Sequence, residues 1–300
     1  MTPMAHAPYI AGIAFVALLT LRIYLHRRRG RWRVVGQRGE DLFVVRKRGG
    51  FRELLIVSPT HQQVQSRQDP RNELSSGRSY VDGFHIAMLD RPEARRILFL
   101  GGGACVGPRQ FAAAYATARI DVVESEPLVV ETAKKDFGLV PDERLVIHVE
   151  DARVFLASAS ASSYDVIVID TYDAYRMPGH LVTKEFFGEV RAKLADGGAV
   201  VLNLVGSAHR TLVPGILGGL AAAFDGWPIG VFEVPDESGG KHPIGNFIAL
   251  VASSLPDTSG ATVAVAPGLG AIVAQPRTPK IDPSRAYSDA QPRTWIPVTD

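Results

Sequence analysis

A glycine-rich turn and three acidic clusters stand at intervals along the middle of the chain, each directly after a short apolar run. The turn is Gly101-Gly102-Gly103-Ala104-Cys105-Val106-Gly107, following Ile97-Leu-Phe-Leu100. Glycines let a backbone turn tightly and approach a ligand with no Cβ in the way. Glu124 follows Ile120-Asp-Val-Val123, about twenty residues beyond the glycines, the spacing of an acid that accepts hydrogen bonds from ribose hydroxyls. Glu150-Asp151 follows Leu145–Val149, and Asp170-Thr-Tyr-Asp173 follows Val166–Ile169. No Walker lysine follows the turn, and Pro108 removes a backbone donor near the next helix start. Three neighbouring acids repel phosphate but suit a neutral ribose and adenine joined to a positive sulfonium centre, so an adenosyl-sulfonium nucleotide is the ligand class they point to. Asp151, standing before Arg153–Ala157, also has the alternative reading of a helix cap.

These residues converge only if their runs are parallel strands of one sheet, because ligands bind beyond the carboxyl ends of such strands. Ile97–Leu100, Val166–Ile169 and Val200–Leu202 are apolar throughout, as strands buried on both faces are. Helical stretches such as Pro127–Phe137 and Lys184–Leu194 alternate with them. The expected fold class is therefore α/β, a doubly wound Rossmann-like sheet over residues 93–253, closed by an antiparallel pair at Val231–Val234 and Asn246–Val251. Residues 34–92 read as a small antiparallel β subdomain over Val34–Val57, a polar stretch from Ser58 to Ser79, and a helix from Tyr80 to Leu89. Residues 254–300, rich in Pro, Ser, Thr and Asp, read as a loosely held extension.

Residues 1–33 have a different character. Met1 to Leu21 holds no charge, and the apolar run to Leu25 is interrupted only by Arg22. A cluster of arginines follows, the reverse of a secretory signal. The expectation is a membrane-anchoring helix whose basic flank keeps the rest of the chain in the cytoplasm. Residues 1–52 hold eleven Lys and Arg against two acids, leaving 22 basic and 29 acidic residues for the remainder. An acidic body does not suit nucleic acid, so none is expected as a partner. A single cysteine excludes an internal disulfide, and His85, His148 and His242 lack the spacing of metal ligands, so no metal is expected; each histidine reads as a surface or capping residue. Cys105 reads as a small packed residue.

In order, Leu100-Gly-Gly-Gly103, Val123-Glu-Ser-Glu126, Glu150-Asp-Ala152 and Tyr164-Asp-Val-Ile-Val-Ile-Asp170-Thr-Tyr-Asp173 resemble the motifs of the spermidine synthase family of aminopropyltransferases, which has the class I methyltransferase-type fold. Gln65, Tyr80 and the run Gly245-Asn-Phe-Ile-Ala-Leu-Val251 extend the likeness to about residues 40–253. The resemblance implies decarboxylated S-adenosylmethionine as co-substrate, a small amine as acceptor and a homodimer. It implies that Gly101, Gly102 and Gly103 form the nucleotide turn, that Glu124 binds ribose and Asp151 the adenine amino group, and that Gln65 holds the nucleotide from the other side. Asp170 would orient and deprotonate the amine, with Asp173 and Tyr80 holding it.

Three departures bear on the substrate. Ala104 replaces an Asp that in the family pairs with the donor's ammonium, Val81 replaces a polar residue, and Gly239-Gly-Lys-His-Pro243 replaces an aromatic polyamine-binding segment. Losing a charge partner for a partly buried ammonium costs about 2–5 kcal/mol. Ala104 also tolerates the carboxylate of intact S-adenosylmethionine, which leaves two alternatives: a methyltransferase, or a non-catalytic nucleotide-binding protein tethered to a membrane.

Overall fold

The computed structural model describes residues 32–59, 61–77, 79–172, 176–206, 212–233, 245–257 and 281–291, with short strand segments at 262–264, 271–273, 276–277 and 295–297. The N-terminal sheet is antiparallel and runs in chain order: β1 (Trp32–Arg38), β2 (Asp41–Arg48), β3 (Phe51–Val57) and β4 (Gln62–Gln68). A short α1 (Ser79–Gly83) continues as a 3₁₀ turn over Phe84–Met88. Then strands and helices alternate: β5 (Arg96–Leu100), α2 (Val106–Ala114), β6 (Arg119–Val123), α3 (Pro127–Asp136), β7 (Leu145–His148), α4 (Ala152–Ser158) and β8 (Tyr164–Ile169). A short β9 (Arg176–Pro178) precedes α5 (Lys184–Lys193), β10 (Leu194–Gly206), α6 (Leu212–Ala223), β11 (Ile229–Glu233) and β12 (Gly245–Ala252).

The central sheet has the order β11-β12-β10-β8-β5-β6-β7, with Pro276–Arg277 added outside β11. Strands β7, β6, β5, β8 and β10 are parallel, and β12 inserts antiparallel between β10 and β11. The chain moves from β5 outward to β7 and then returns to the other side of β5, so the switch point lies between β5 and β8. Side chains alternate across this sheet as a period of two requires. Ile97, Phe99, Val166 and Val168 join one apolar core, while Leu98, Leu100, Ile167 and Ile169 join the other. The first core also takes Phe43, Val45, Leu54 and Ile56 from the N-terminal sheet, which therefore shares its packing with the α/β domain.

The α/β class, the parallel strand order, and the helices after Pro127 and Lys184 agree with the sequence reading. Four features differ. The polar stretch from Ser58 contains β4, whose Gln-Gln-Val-Gln-Ser-Arg-Gln sequence hides a strand because much of it lines a polar cavity. His85 is buried, stacked on Phe111 at 4.0 Å with Nδ1 2.8 Å from the Tyr115 hydroxyl, and burial pushes its pKa down to about 3. Trp32 and Arg33 begin β1 and belong to no anchor. The anchor itself, residues 1–31, lies outside the described residues; among those, no helix is long and apolar enough to cross a membrane.

The fourth difference is the tail. Tyr287 packs into the groove left by Gly215, where an added Cβ would come within 2.5 Å of its ring. Its carbonyl accepts from Lys184 N at 2.9 Å, and Glu185 accepts from both Ser288 and Asp289. Asp289 pairs with Arg153, which also holds Glu189. Trp295–Pro297 pairs with β9. The missing side chain at Gly215 and the acids of α5 give a Pro-rich segment something to dock on. Tyr287→Ala is expected to lower stability by about 1–2 kcal/mol, as removal of a half-buried aromatic does. Urea unfolding checks this; an unchanged midpoint would mean a tail that contributes no packing.

Candidate active site

The glycine turn begins where β5 ends. Asp170 N donates to Leu100 O at 2.8 Å, holding β5 and β8 in register to their last residues. Beyond that bond the two chains part. Gly101 adopts φ +89°, and a Cβ there would lie 2.1 Å from the Asp170 carbonyl oxygen, so no side chain fits. Gly103 adopts φ +51° and Cys105 φ +57°, which bends the backbone into α2. The Cys105 thiol is fully buried, which raises its pKa, and it is the packed residue that the sequence suggested.

Glu124, at the end of β6, organises this turn. Its Oε2 accepts from Gly102 N at 3.1 Å and Gly103 N at 2.8 Å, and its Oε1 from Glu126 N at 3.1 Å. A carboxylate offers about four acceptor positions, so three are committed to the backbone. Burial pushes its pKa up while these bonds pull it back.

Asp151 takes the capping role and also lines the cavity described below. Its Oδ1 caps α4 by accepting from Arg153 N and Val154 N, and its Oδ2 lies 2.8 Å from His180 Nε2. The His180 hydrogen bond holds the Asp151 pKa below the usual aspartate value. Asp170 Oδ1 accepts from Asn203 Nδ2 at 2.9 Å. Tyr172 locks this loop to β10, since its hydroxyl accepts from Val205 N at 2.7 Å and donates to Asn203 O at 3.3 Å. Asn203 Oδ1 and Thr171 Oγ1 are buried with no hydrogen-bond partner, leaving two oxygens without a donor beside Asp170.

β4 supplies the opposite side. Leu54 pairs with Ser66 and Leu55 with Val64, so Gln65 is the extra residue of a β-bulge, a device that re-aims side chains. Ser66 Oγ accepts from Ala104 N at 2.7 Å, tying the N-terminal sheet to the glycine turn. Gln65 Nε2 is buried and without a partner.

Apart from Ala104, Cys105 and His180, the groups that make up the turn, the strand ends and the bulge line one cavity of about 880 Å³. Of the residues expected from sequence, it gathers Gln65, Tyr80, Gly101, Gly102, Gly103, Glu124, Asp151 and Asp170. Asp173 lies outside the described residues, as does Lys241. No group of three potential metal ligands occurs among the described residues. The sequence reading missed Ser66, His180, Asn203 and Arg176. Asn203 could have been found: it is the first polar residue after the apolar Ala199–Leu202, at a parallel strand's carboxyl end. His180 carries no such signal.

Residues 83–209 match the spermine/spermidine synthase domain family. A curated polyamine aminopropyltransferase of Vibrio vulnificus is 31% identical over 164 residues, covering 53% of this chain and 54% of that protein. The chain thus spans about half the length of this relative. A probable spermidine synthase from Corynebacterium glutamicum superposes with a TM-score of 0.67 at 23% identity, covering 81% of this chain and 89% of that one. Human methyltransferase-like protein 13, solved with SAH, superposes with a TM-score of 0.50 at 23% identity, covering 59% and 82%. The family resemblance and the methyltransferase-type fold read from the motifs are borne out.

The glycines differ in what surrounds them. Gly101→Ala drives a Cβ into backbone that cannot move aside, and it is expected to cost more than about 3 kcal/mol or prevent folding. Gly103→Ala meets the Ser66 hydroxyl at 2.6 Å and the Gln65 carbonyl at an ordinary 3.8 Å, and is expected to cost about 1–2 kcal/mol. Urea midpoints of the two variants test this order; equal values would contradict it.

Proposed function

With residues 83–209 matching the spermine/spermidine synthase domain, we propose that this chain is a spermidine synthase-like transferase. It binds an adenosyl-sulfonium donor, decarboxylated S-adenosylmethionine, and moves its aminopropyl group to a small amine. The observation that carries the reading is the convergence of Glu124, Asp151 and Asp170 with the glycine turn in one cavity. Carboxylates around that space favour a positive sulfur centre.

In the proposed reaction the nitrogen lone pair of the neutral amine attacks the methylene carbon bonded to sulfur. A C–N bond forms, the C–S bond breaks, and its electron pair returns to sulfur, leaving neutral 5′-methylthioadenosine. Positive charge therefore moves from sulfur to nitrogen. Asp170 is the catalytic residue: it accepts the amine's proton and stabilises the charge growing on nitrogen. Asn203 acts by holding Asp170, and its Oδ1 with Thr171 Oγ1 offers acceptors to the remaining amine hydrogens. Glu124 supports the turn, with its remaining acceptor capacity directed to ribose; Asp151 and Gln65 hold the nucleoside from either side. Asp173 and Tyr80 are assigned to the amine.

A second reading, methyl transfer from intact S-adenosylmethionine, is favoured by Ala104, which is buried and brings no charge to the turn. The two are separated by product analysis with both donors. The expected outcome is aminopropyl transfer, reduced at least about 100-fold in Asp170→Asn, while 5′-methylthioadenosine affinity changes less than about threefold. Full activity in that variant contradicts the role of Asp170. A methylated product made only from the intact donor contradicts the whole assignment.

A further inference from the structure

The 3₁₀ turn Gly179–Leu181, which carries His180, lies between β9 and α5. The chain's own tail fastens it on both sides. Before the turn, Trp295–Pro297 pairs with β9 and sets Ile296 opposite Met177. After it, Thr183 bridges to Tyr287, and Lys184 N donates to the Tyr287 carbonyl at 2.9 Å.

One guanidinium completes the attachment. Arg153, in the first turn of α4, has five N–H groups, and each finds an acceptor. Nε donates to Glu189 Oε2 at 2.9 Å and Nη2 to Glu189 Oε1 at 2.6 Å. Nη1 and Nη2 also hold Asp289 of the tail in parallel, at 2.9 and 2.5 Å. The remaining Nη1 donor reaches the His180 carbonyl at 3.2 Å. The Glu189 and Asp289 side chains are each 40% exposed, so these ion pairs add little to global stability. Their bidentate geometry fixes direction instead.

The group so directed is the Asp151 carboxylate. Its Oδ1 is occupied by Arg153 N and Val154 N, and its Oδ2 lies 2.8 Å from His180 Nε2. An ionised carboxylate only accepts, so Nε2 carries the proton and one acceptor position of Oδ2 stays open. The same bond holds the Asp151 pKa down and keeps the group ionised. Asp151 lines the cavity, whereas His180 stands behind it. A purine with an amino group at position 6 can donate to that oxygen; a purine without one cannot.

We propose that His180, held by Arg153 and by Asp289 of the tail, is a specificity-determining residue that turns Asp151 Oδ2 towards the 6-amino group of adenine. It acts through Asp151 and is a positioning residue. This inference rests on the adenosyl-donor reading above, in which Asp151 meets the adenine.

The test is calorimetric titration of the full-length chain with 5′-methylthioadenosine and with its 6-deamino analogue, which has hydrogen in place of the amino group. The unaltered chain is expected to bind the amino form at least about tenfold more tightly, the worth of one hydrogen bond to a charged acceptor. His180→Ala is expected to lower this ratio below about threefold, whereas His180→Gln, which keeps an N–H donor, stays within about threefold of the unaltered chain. Asp289→Ala is expected to fall between, because Glu189 still holds Arg153. His180 and Asp289 are 47% and 40% exposed in their side chains, so these variants fold. A ratio near one in the unaltered chain, or an unchanged ratio in His180→Ala, overturns the proposal. Equal losses in His180→Ala and His180→Gln overturn the donor role of the imidazole, and an unchanged ratio in Asp289→Ala overturns the part given to the tail. Failure of both nucleosides to bind the unaltered chain is a different result, and it overturns the adenosyl-donor reading itself.

Discussion

Two neighbouring parallel strands, β5 and β8, stay bonded to their last residues and then release their chains in opposite directions. Asp170 N still bonds to Leu100 O, and one residue further Gly101 slides past the Asp170 carbonyl with no space for a Cβ. Everything chemically useful is referenced to that contact. It puts the glycine turn and the Asp170 carboxylate on adjoining sides of one opening. Neither loop can shift without disturbing the other. Glu124 then fixes the turn by collecting three backbone N–H groups on one carboxylate, which is why an acid is needed there even before any ligand is considered.

Around this contact the chain builds a site from distant segments. β4 comes from the N-terminal sheet, and its bulge sets Gln65 and Ser66 against the glycine turn. β10 holds the Asp170 loop through Asn203 and Tyr172. The tail reaches the same region by two routes, through Asp289 to Arg153 in the helix that Asp151 caps, and through Trp295–Pro297 to β9. A cavity assembled this way has walls of different origin.

The parallel strands were legible because burial on both faces demands uninterrupted apolar runs, and acids that line the cavity then stand out at their ends. Glu124 and Asp170 were visible for that reason. β4 was not, since a strand that lines a polar cavity loses the apolar alternation that betrays strands. Asp151 shows a different limit: capping and ligand binding select the same residue at the same place, so spacing alone left both open. His180 meets Asp151 from 29 residues away through a 3₁₀ turn, a juxtaposition only the folded chain reveals. The docking of the tail depends on an absence, the missing side chain at Gly215, and absences have no periodic signature.

The central claim is that four strand ends form a single nucleoside site. A crystal structure of the chain with bound 5′-methylthioadenosine tests it most directly. The claim predicts ribose hydroxyls within hydrogen-bond distance of Glu124, the adenine beside Asp151, and the thioether sulfur between the glycine turn and Asp170. A nucleoside bound elsewhere, or one that touches neither Glu124 nor Asp151, would contradict it.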